Sequence, residues 1–208
     1  GMLRWHRKCS RNSLLNSKQI KLMRSATYAS IALALTLISL KIWAWSMTDS
    51  VAILSSLVDS LLDLIASIIT FYAVRVAVSP ADAEHRFGHG KSEGVSGLLQ
   101  GFIITISTLY VASEAVIRLL EPRSISEPEV GFGVMSISLA LTVLLVGFQR
   151  FVVARTGSLA ISADAMHYKA DLLTNLAVLC AIFFSYRFEW NVLDPLLGLL
   201  IAGFIFLG

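Results

Sequence analysis

Long apolar runs are the feature of this sequence that most limits what it can fold into. Of its 208 residues, 56% are hydrophobic and only 15% are charged, whereas a soluble domain has about 25% charged residues. Several runs reach the roughly 17 to 25 residues that a helix needs to cross a bilayer. The sequence therefore excludes an ordinary soluble domain and predicts a membrane protein with several spans.

Six runs are long enough to be spans: 25–47, 50–74, 94–117, 130–148, 159–186 and 192–207. Unpaired backbone groups are costly in lipid, so a span must be a helix or part of a closed barrel. The runs lack the strict alternation of barrel strands. The predicted fold class is an all-α membrane protein with six transmembrane helices.

The distribution of Lys and Arg predicts the orientation, because basic residues are retained on the cytoplasmic side of a membrane. The segment before the first span and the loops after the second and fourth carry most of them: Arg4, Arg7, Lys8, Arg11, Lys18, Lys21, Arg24, Arg75, Arg86, Lys91, Arg150 and Arg155. Both termini are expected in the cytosol, with a basic segment 1–24 ahead of a membrane domain 25–208. Binding of anionic lipid explains that segment better than binding of nucleic acid.

Ionisable residues inside two predicted spans are candidates for function, since such groups are costly within a bilayer. Asp59 and Asp63 lie one helical turn apart in the second span, and so on one face. In the fifth span Asp164, His167 and Asp171 also share a face. The two helices are antiparallel, so both groups are expected near the same depth.

Three carboxylates and one imidazole at one depth predict a metal site. Asp59, Asp63, His167 and Asp171 offer the four oxygen and nitrogen ligands of a tetrahedral Zn²⁺ site. The imidazole argues against Mg²⁺ and Ca²⁺, which prefer oxygen ligands alone, and leaves Fe²⁺, Co²⁺ and Cd²⁺ as alternatives. The competing interpretation is that the carboxylates stay protonated, or that Lys41 or Lys169 pairs with them.

Protons and a metal ion would compete for these ligands, because binding requires deprotonated groups. Exchange of a cation for protons, an antiport, follows from that competition. Asp164, one turn from His167, is a candidate for the proton path. The alternative for Asp164 is an acid that stabilises a helix N-terminus.

The loop between the second and third spans contains a second candidate metal site. Asp82, His85 and His89 lie within a loop that Pro80 begins, and their side chains suit Zn²⁺. A solvated polar loop explains the same residues equally well. Outside the bilayer, such a site would be auxiliary to transport.

The motifs resemble those of the cation diffusion facilitators, in the bacterial branch that exports zinc and iron. The resemblance rests on SVAILSSLVDSLLD in the second span, PADAEHRFGHGKSE in the loop and ADAMHYKADLLTN in the fifth, and it covers nearly the whole chain. It implies a homodimeric Zn²⁺/H⁺ antiporter of the inner membrane that works by alternating access. It also implies that the four membrane ligands form the transport site and that the loop residues form a second site.

Three further expectations come from this resemblance. Lys91 falls where the family has a lysine in a charge interlock at the cytoplasmic membrane surface. The family continues beyond the sixth span into a cytoplasmic ferredoxin-like domain, and we expect this chain to be the transmembrane part alone. The D-x-x-x-D of the second span, in place of H-x-x-x-D, is expected to admit Fe²⁺ and Cd²⁺ beside Zn²⁺.

Other functions fit the sequence less well. An intramembrane metalloprotease would need an H-E-x-x-H helix, and the sequence has no such motif. A haem carrier would need paired histidines in the membrane, and a scaffold would leave the buried carboxylates unexplained. A passive cation channel stays open as an alternative, although tight binding by four ligands slows conduction. The expected class is a transport protein and not an enzyme.

Overall fold

Five long α-helices make up most of the described chain. The computed structural model describes residues 16–48, 51–79, 89–120 and 128–188, together with the helical residues Leu200 and Gly203. The helices are α1 (Ser17–Thr48), α2 (Val51–Ala77), α3 (Lys91–Leu120), α4 (Pro128–Thr156) and α5 (Leu159–Phe188). All five were predicted as helices. The sixth predicted span, 192–207, lies almost entirely outside the described residues.

The helices extend beyond the apolar runs that predicted them. Helix α1 begins at Ser17 and not at residue 25, and α4 continues to Thr156 and not to residue 148. Hydropathy marks only the portion that fits the hydrocarbon core, whereas a helix continues through polar residues until a terminating signal is met. For α4 that signal is Gly157, which has a φ of 67° and whose N–H bonds to the Val153 carbonyl.

The side chains are distributed inside out relative to a soluble bundle. Large apolar side chains such as Leu144, Leu98 and Phe102 are exposed, while Ser, Thr and Gln residues are buried between the helices. Within the part of the chain that the structure describes, three helices, at 17–47, 56–77 and 132–156, are long and apolar enough to cross a membrane. Lipid covers such an apolar exterior, and small polar side chains then bond between helices.

Helix α5 occupies the centre of the described bundle. It packs against α4, α3 and α2, and also touches α1, while α1 packs against α2 and α4. One apolar cluster joins α1, α2, α4 and α5 near the basic ends of these helices, around Met23, Val74, Val152 and Ile161. A side chain on α5 can therefore be reached from every other described helix.

A short turn fixes where α5 starts. Ser158 precedes the helix, and its Oγ accepts a hydrogen bond from the Ile161 N–H at 3.4 Å. Glu93 of α3 accepts two more, from Ser158 Oγ at 2.8 Å and from the Leu159 N–H at 2.9 Å. A carboxylate at a helix N-terminus is stabilising. These contacts fix the register of α5, and with it the depth of its acidic residues.

Candidate metal-binding site

One imidazole and two carboxylates meet between α2 and α5. His167 Nε2 lies 3.1 Å from Asp63 Oδ1 and 3.5 Å from Asp171 Oδ2. One ligand atom from each of these residues lies within 4.8 Å of the other two. His167 is almost fully buried, at 1% exposure, and Asp63 is buried as well. Three of the four residues predicted as the transport site are thus brought together.

The fourth predicted ligand, Asp59, lines the same cavity without joining the close cluster. The cavity has a volume of about 50 Å³ and is lined by Asp59, Asp63, His167 and Asp171, together with residues of α1, α3 and α5. One water needs about 10–15 Å³ of such space, so there is room for an ion and coordinating water. Asp59 lies on the same helix as Asp63, one turn away.

Two buried atoms of this cluster lack a hydrogen bond. Within the described part of the chain, neither His167 Nδ1 nor Asp171 Oδ2 has a hydrogen-bond partner. Buried polar atoms are rarely left in this state, because an unmade bond costs about 1–3 kcal/mol. Asp171 Oδ2 is therefore available to a ligand, whereas Nδ1 is not the nitrogen that faces the carboxylates, since His167 approaches them through Nε2.

Neither lysine neutralises the cluster by a direct ion pair. Lys41 is buried, and its Nζ donates to the Ser56 carbonyl at 2.8 Å and to Ser60 Oγ at 2.6 Å. Lys169 is exposed. Among the described residues, the site carboxylates form ion pairs with His167. The pairing with Lys41 or Lys169 that the sequence allowed is therefore not seen.

Asp164 belongs to a different polar cluster, one turn along α5. Its Oδ2 accepts from Gln149 Nε2 at 2.7 Å and from Ser30 Oγ at 2.8 Å, and its Oδ1 accepts from Gln100 Nε2 at 3.3 Å and from Thr70 Oγ1 at 3.4 Å. These four donors come from α1, α2, α3 and α4. Asp164 is 1% exposed.

The surroundings of Asp164 favour neither interpretation that its position in the sequence suggested. Helix α5 begins at Leu159 and has no acidic residue in its first turn, so an N-terminal acid is not the explanation. A role in the proton path stays a prediction. What the contacts describe is a carboxylate that holds all five described helices together.

The polar partners of Asp164 were missed in the sequence. Gln100 and Gln149 are both fully buried, and each interrupts an apolar run, in "GLLQGF" and "VGFQRF". An amide inside a span is costly unless it finds a partner. That signal is present in the sequence, but an amide is not ionisable and gave no prediction of a site.

The second predicted metal site is described only in part. Asp82 and His85 lie outside the described residues. His89 is partly buried just before α3, where its carbonyl accepts a hydrogen bond from Ser92 Oγ at 2.8 Å. Lys91 is the exposed first residue of α3. The loop site and the role of Lys91 stay predictions.

Comparison with known proteins agrees with the resemblance seen in the motifs. Residues 27–208 match the family described as the cation efflux transmembrane domain. The chain is similar to proteins named cation-efflux pump FieF: it is 43% identical over 191 residues to that of Pectobacterium carotovorum subsp. carotovorum and 41% identical over 191 residues to that of Salmonella arizonae. Each alignment covers 92% of this chain and 63% of the relative, so the chain spans less than two thirds of the relatives' length.

Proposed function

The chain belongs to the cation efflux family, and on that premise we propose that it carries divalent transition-metal cations across the membrane in exchange for protons. Family membership was predicted from the motifs and is confirmed by the match over residues 27–208. The relatives' printed name describes pumps for cations. The class expected from the sequence, a transport protein and not an enzyme, is the class that this name describes.

One observation carries the proposal: the cluster of Asp63, His167 and Asp171 within the helical bundle. Its ligand atoms lie close enough to hold one ion, and the buried Asp171 Oδ2 has no hydrogen-bond partner in the described chain. A cation bound by His167 Nε2, which faces both carboxylates, would also bind that oxygen. Asp59, in the same cavity, would complete a set of four ligands.

The donor set supports Zn²⁺ as the cargo. One imidazole with carboxylate oxygens in a four-ligand set is typical of zinc, while Mg²⁺ and Ca²⁺ prefer six or more oxygens. Fe²⁺, Cd²⁺ and Co²⁺ accept similar ligands, since selection among these metals depends on geometry as well as on ligand type. We propose Zn²⁺ first and these three as further substrates.

Proton coupling follows from the chemistry of the ligands. His167 and the carboxylates bind a metal only when they are deprotonated, so loading releases protons and protonation expels the ion. We propose that the site faces each side of the membrane in turn, by alternating access. In this scheme protons that enter from outside drive the metal out of the cytosol.

The remaining elements of the proposal come from the family resemblance and from the basic residues. We propose a multi-pass protein of the inner membrane with both termini in the cytosol, acting as a homodimer. Asp82, His85 and His89 would form an auxiliary cytosolic metal site. Lys91, exposed at the start of α3, would act in a charge contact at the membrane surface.

Uptake by proteoliposomes tests the proposed activity. The chain is reconstituted beside its Asp59→Ala variant, and Zn²⁺ uptake is measured with and without an imposed pH gradient. We expect uptake that the gradient drives and that the variant loses. Uptake indifferent to the gradient would indicate a passive channel, and Zn²⁺ that binds but is not transported would contradict carrier activity for this chain.

A further inference from the structure

A buried lysine shares the candidate metal cavity with the acidic residues. Lys41, on α1, is 7% exposed and lines the cavity beside Asp59, Asp63 and Asp171. Lysine is rarely buried to this degree without a pairing partner. From the sequence Lys41 was considered as an ion-pair partner of the carboxylates, and its Nζ is instead bonded to Ser56 and Ser60.

Two hydrogen bonds fix the position of the Lys41 ammonium group. Nζ donates to the Ser56 carbonyl at 2.8 Å and to Ser60 Oγ at 2.6 Å, both on α2. Ser60 is fully buried. The group thus lines one cavity with the carboxylates, and its hydrogen bonds are to Ser56 and Ser60 and not to the oxygen atoms that a metal would need.

The positive charge of Lys41 changes the net formal charge of the cavity. Ionised Asp59, Asp63 and Asp171 carry three negative charges, and Lys41 reduces the net charge to −2 with His167 neutral. One divalent cation then makes the loaded site neutral. Without Lys41 the loaded site would keep a net negative charge inside the membrane, where charge is costly.

We propose that Lys41 is a built-in cation of the metal site that does not coordinate the metal, and that it weakens metal binding enough to permit release. The proposal rests on the proposed function and deepens it, because it assigns a residue that tunes affinity. A fixed positive charge repels the incoming ion. It also partly neutralises the carboxylates when no metal is bound.

Titration of Zn²⁺ into the purified chain, in lipid nanodiscs at fixed pH, tests this assignment. Every protein carries Asp82→Ala and His89→Ala, so that the candidate loop site does not contribute. We expect Lys41→Met to bind Zn²⁺ at least about tenfold more tightly, because a like charge has been removed from the cavity. Lys41→Arg keeps the charge and should stay within a few fold of the parent.

A second variant separates a charge effect from a packing effect. Ser60→Ala keeps the lysine but removes one of its two hydrogen bonds, which frees the ammonium group to approach the carboxylates. We expect Zn²⁺ binding to weaken in Ser60→Ala, the opposite of Lys41→Met. A lysine that only packs the helices would weaken binding in both variants. Lys41→Gln, which keeps much of the length of the side chain, replaces Lys41→Met if that variant does not fold.

Zn²⁺ binding by Asp63→Asn separates an error about Lys41 from an error about the metal site itself. If Asp63→Asn weakens Zn²⁺ binding but Lys41→Met and Lys41→Gln do not tighten it, the metal site stands and the role of Lys41 is wrong. If Asp63→Asn binds Zn²⁺ as the parent does, the site itself is wrong, and the proposal for Lys41 fails with it.

Discussion

Two acidic residues on α5, two turns apart, have opposite surroundings. Asp164 accepts hydrogen bonds from four side chains on four other helices. Asp171 contacts His167 at 3.5 Å and has a buried oxygen without a hydrogen-bond partner in the described chain. The same residue type on one helix thus serves two purposes: Asp164 is satisfied by the protein, whereas Asp171 is left for something else to satisfy.

This comparison teaches how to separate a scaffold from a binding site among buried charges. The donors around Asp164 come from four other helices and link them, so we expect Asp164 to contribute to stability. The His167 cluster keeps a buried carboxylate oxygen without a hydrogen bond in the described chain and borders a cavity. A cluster that costs free energy when empty is stabilised by its ligand.

The largest effect is expected from the loss of the imidazole. His167→Gln should abolish Zn²⁺ uptake into proteoliposomes, because the only nitrogen ligand of the proposed site is removed. Uptake under a pH gradient is the measurement, and Met166→Gln, a change on an exposed neighbour, is the matched control. Uptake retained in His167→Gln would show that the His167 cluster is not the transport site, and the contrast with Asp164 would then fail.

The next effect concerns stability, at Asp164. Asp164→Ala leaves four buried donors without their acceptor, at about 1–3 kcal/mol for a stranded group. We expect Tm to fall by roughly 10 °C, measured in detergent by the loss of helical signal on heating. Zn²⁺ should still bind with unchanged stoichiometry. A variant of unchanged Tm would show that the hydrogen bonds do not act as a scaffold.

A milder substitution separates the scaffold from the predicted proton path. Asp164→Asn keeps one acceptor oxygen and cannot exchange a proton as a carboxylate does. We expect pH-driven uptake in proteoliposomes to persist at a reduced level that follows the loss of folded protein. Full Zn²⁺ binding together with complete loss of the response to the pH gradient would instead assign Asp164 to the proton path.

Asp171→Asn should change stability in the opposite direction from Asp164→Ala. The substitution removes a buried charge whose Oδ2 has no hydrogen bond in the described chain, so Tm without metal should stay the same or rise by a few degrees. The rise in Tm that Zn²⁺ gives the parent should disappear, since ligand binding is the source of that stabilisation. Thermal unfolding with and without Zn²⁺ measures both quantities. A lower Tm without metal would place Asp171 with the scaffold.

The smallest effect is expected at the boundary between the two clusters. Tyr168, next to His167, shares a hydrogen bond of 2.9 Å with Ser67 Oγ. Tyr168→Phe removes that bond, which is worth about 0.6 kcal/mol within a membrane bundle, and a longer one of 3.4 Å that the Tyr168 hydroxyl donates to the Ser30 carbonyl. Tm should fall by about 1–2 °C, with unchanged Zn²⁺ affinity in a titration. A loss of affinity would show that the two clusters are coupled.

Much of the fold and of the site was predictable from the sequence. The apolar runs predicted the five described helices, because a segment that crosses lipid must satisfy its own backbone hydrogen bonds. The i, i+4 spacings predicted which helix faces carry Asp63, His167 and Asp171. The distances among these groups needed the packing of α2 against α5. The network around Asp164 was not predicted, because Ser30, Thr70, Gln100 and Gln149 are far apart in sequence and none is ionisable.

The sequence also did not predict that the side chain of Lys41 turns into the bundle. A lysine near the end of a helix can extend to the membrane surface or turn inward, and only the positions of Ser56 and Ser60 on α2 decide between them. Helix ends were predicted least well, as at Ser17 and Thr156. Hydropathy marks only the residues that lie in the hydrocarbon core, whereas a helix continues beyond them.

X-ray absorption at the zinc edge tests the central claim most directly. The spectrum is recorded for Zn²⁺ bound to the chain carrying Asp82→Ala and His89→Ala, with and without His167→Gln. We predict one imidazole nitrogen at about 2.0–2.1 Å, with oxygen as the other ligand type and no sulfur, and loss of the imidazole signal in the His167→Gln variant. Two or more imidazoles, a sulfur ligand, or a spectrum that His167→Gln leaves unchanged would contradict the account.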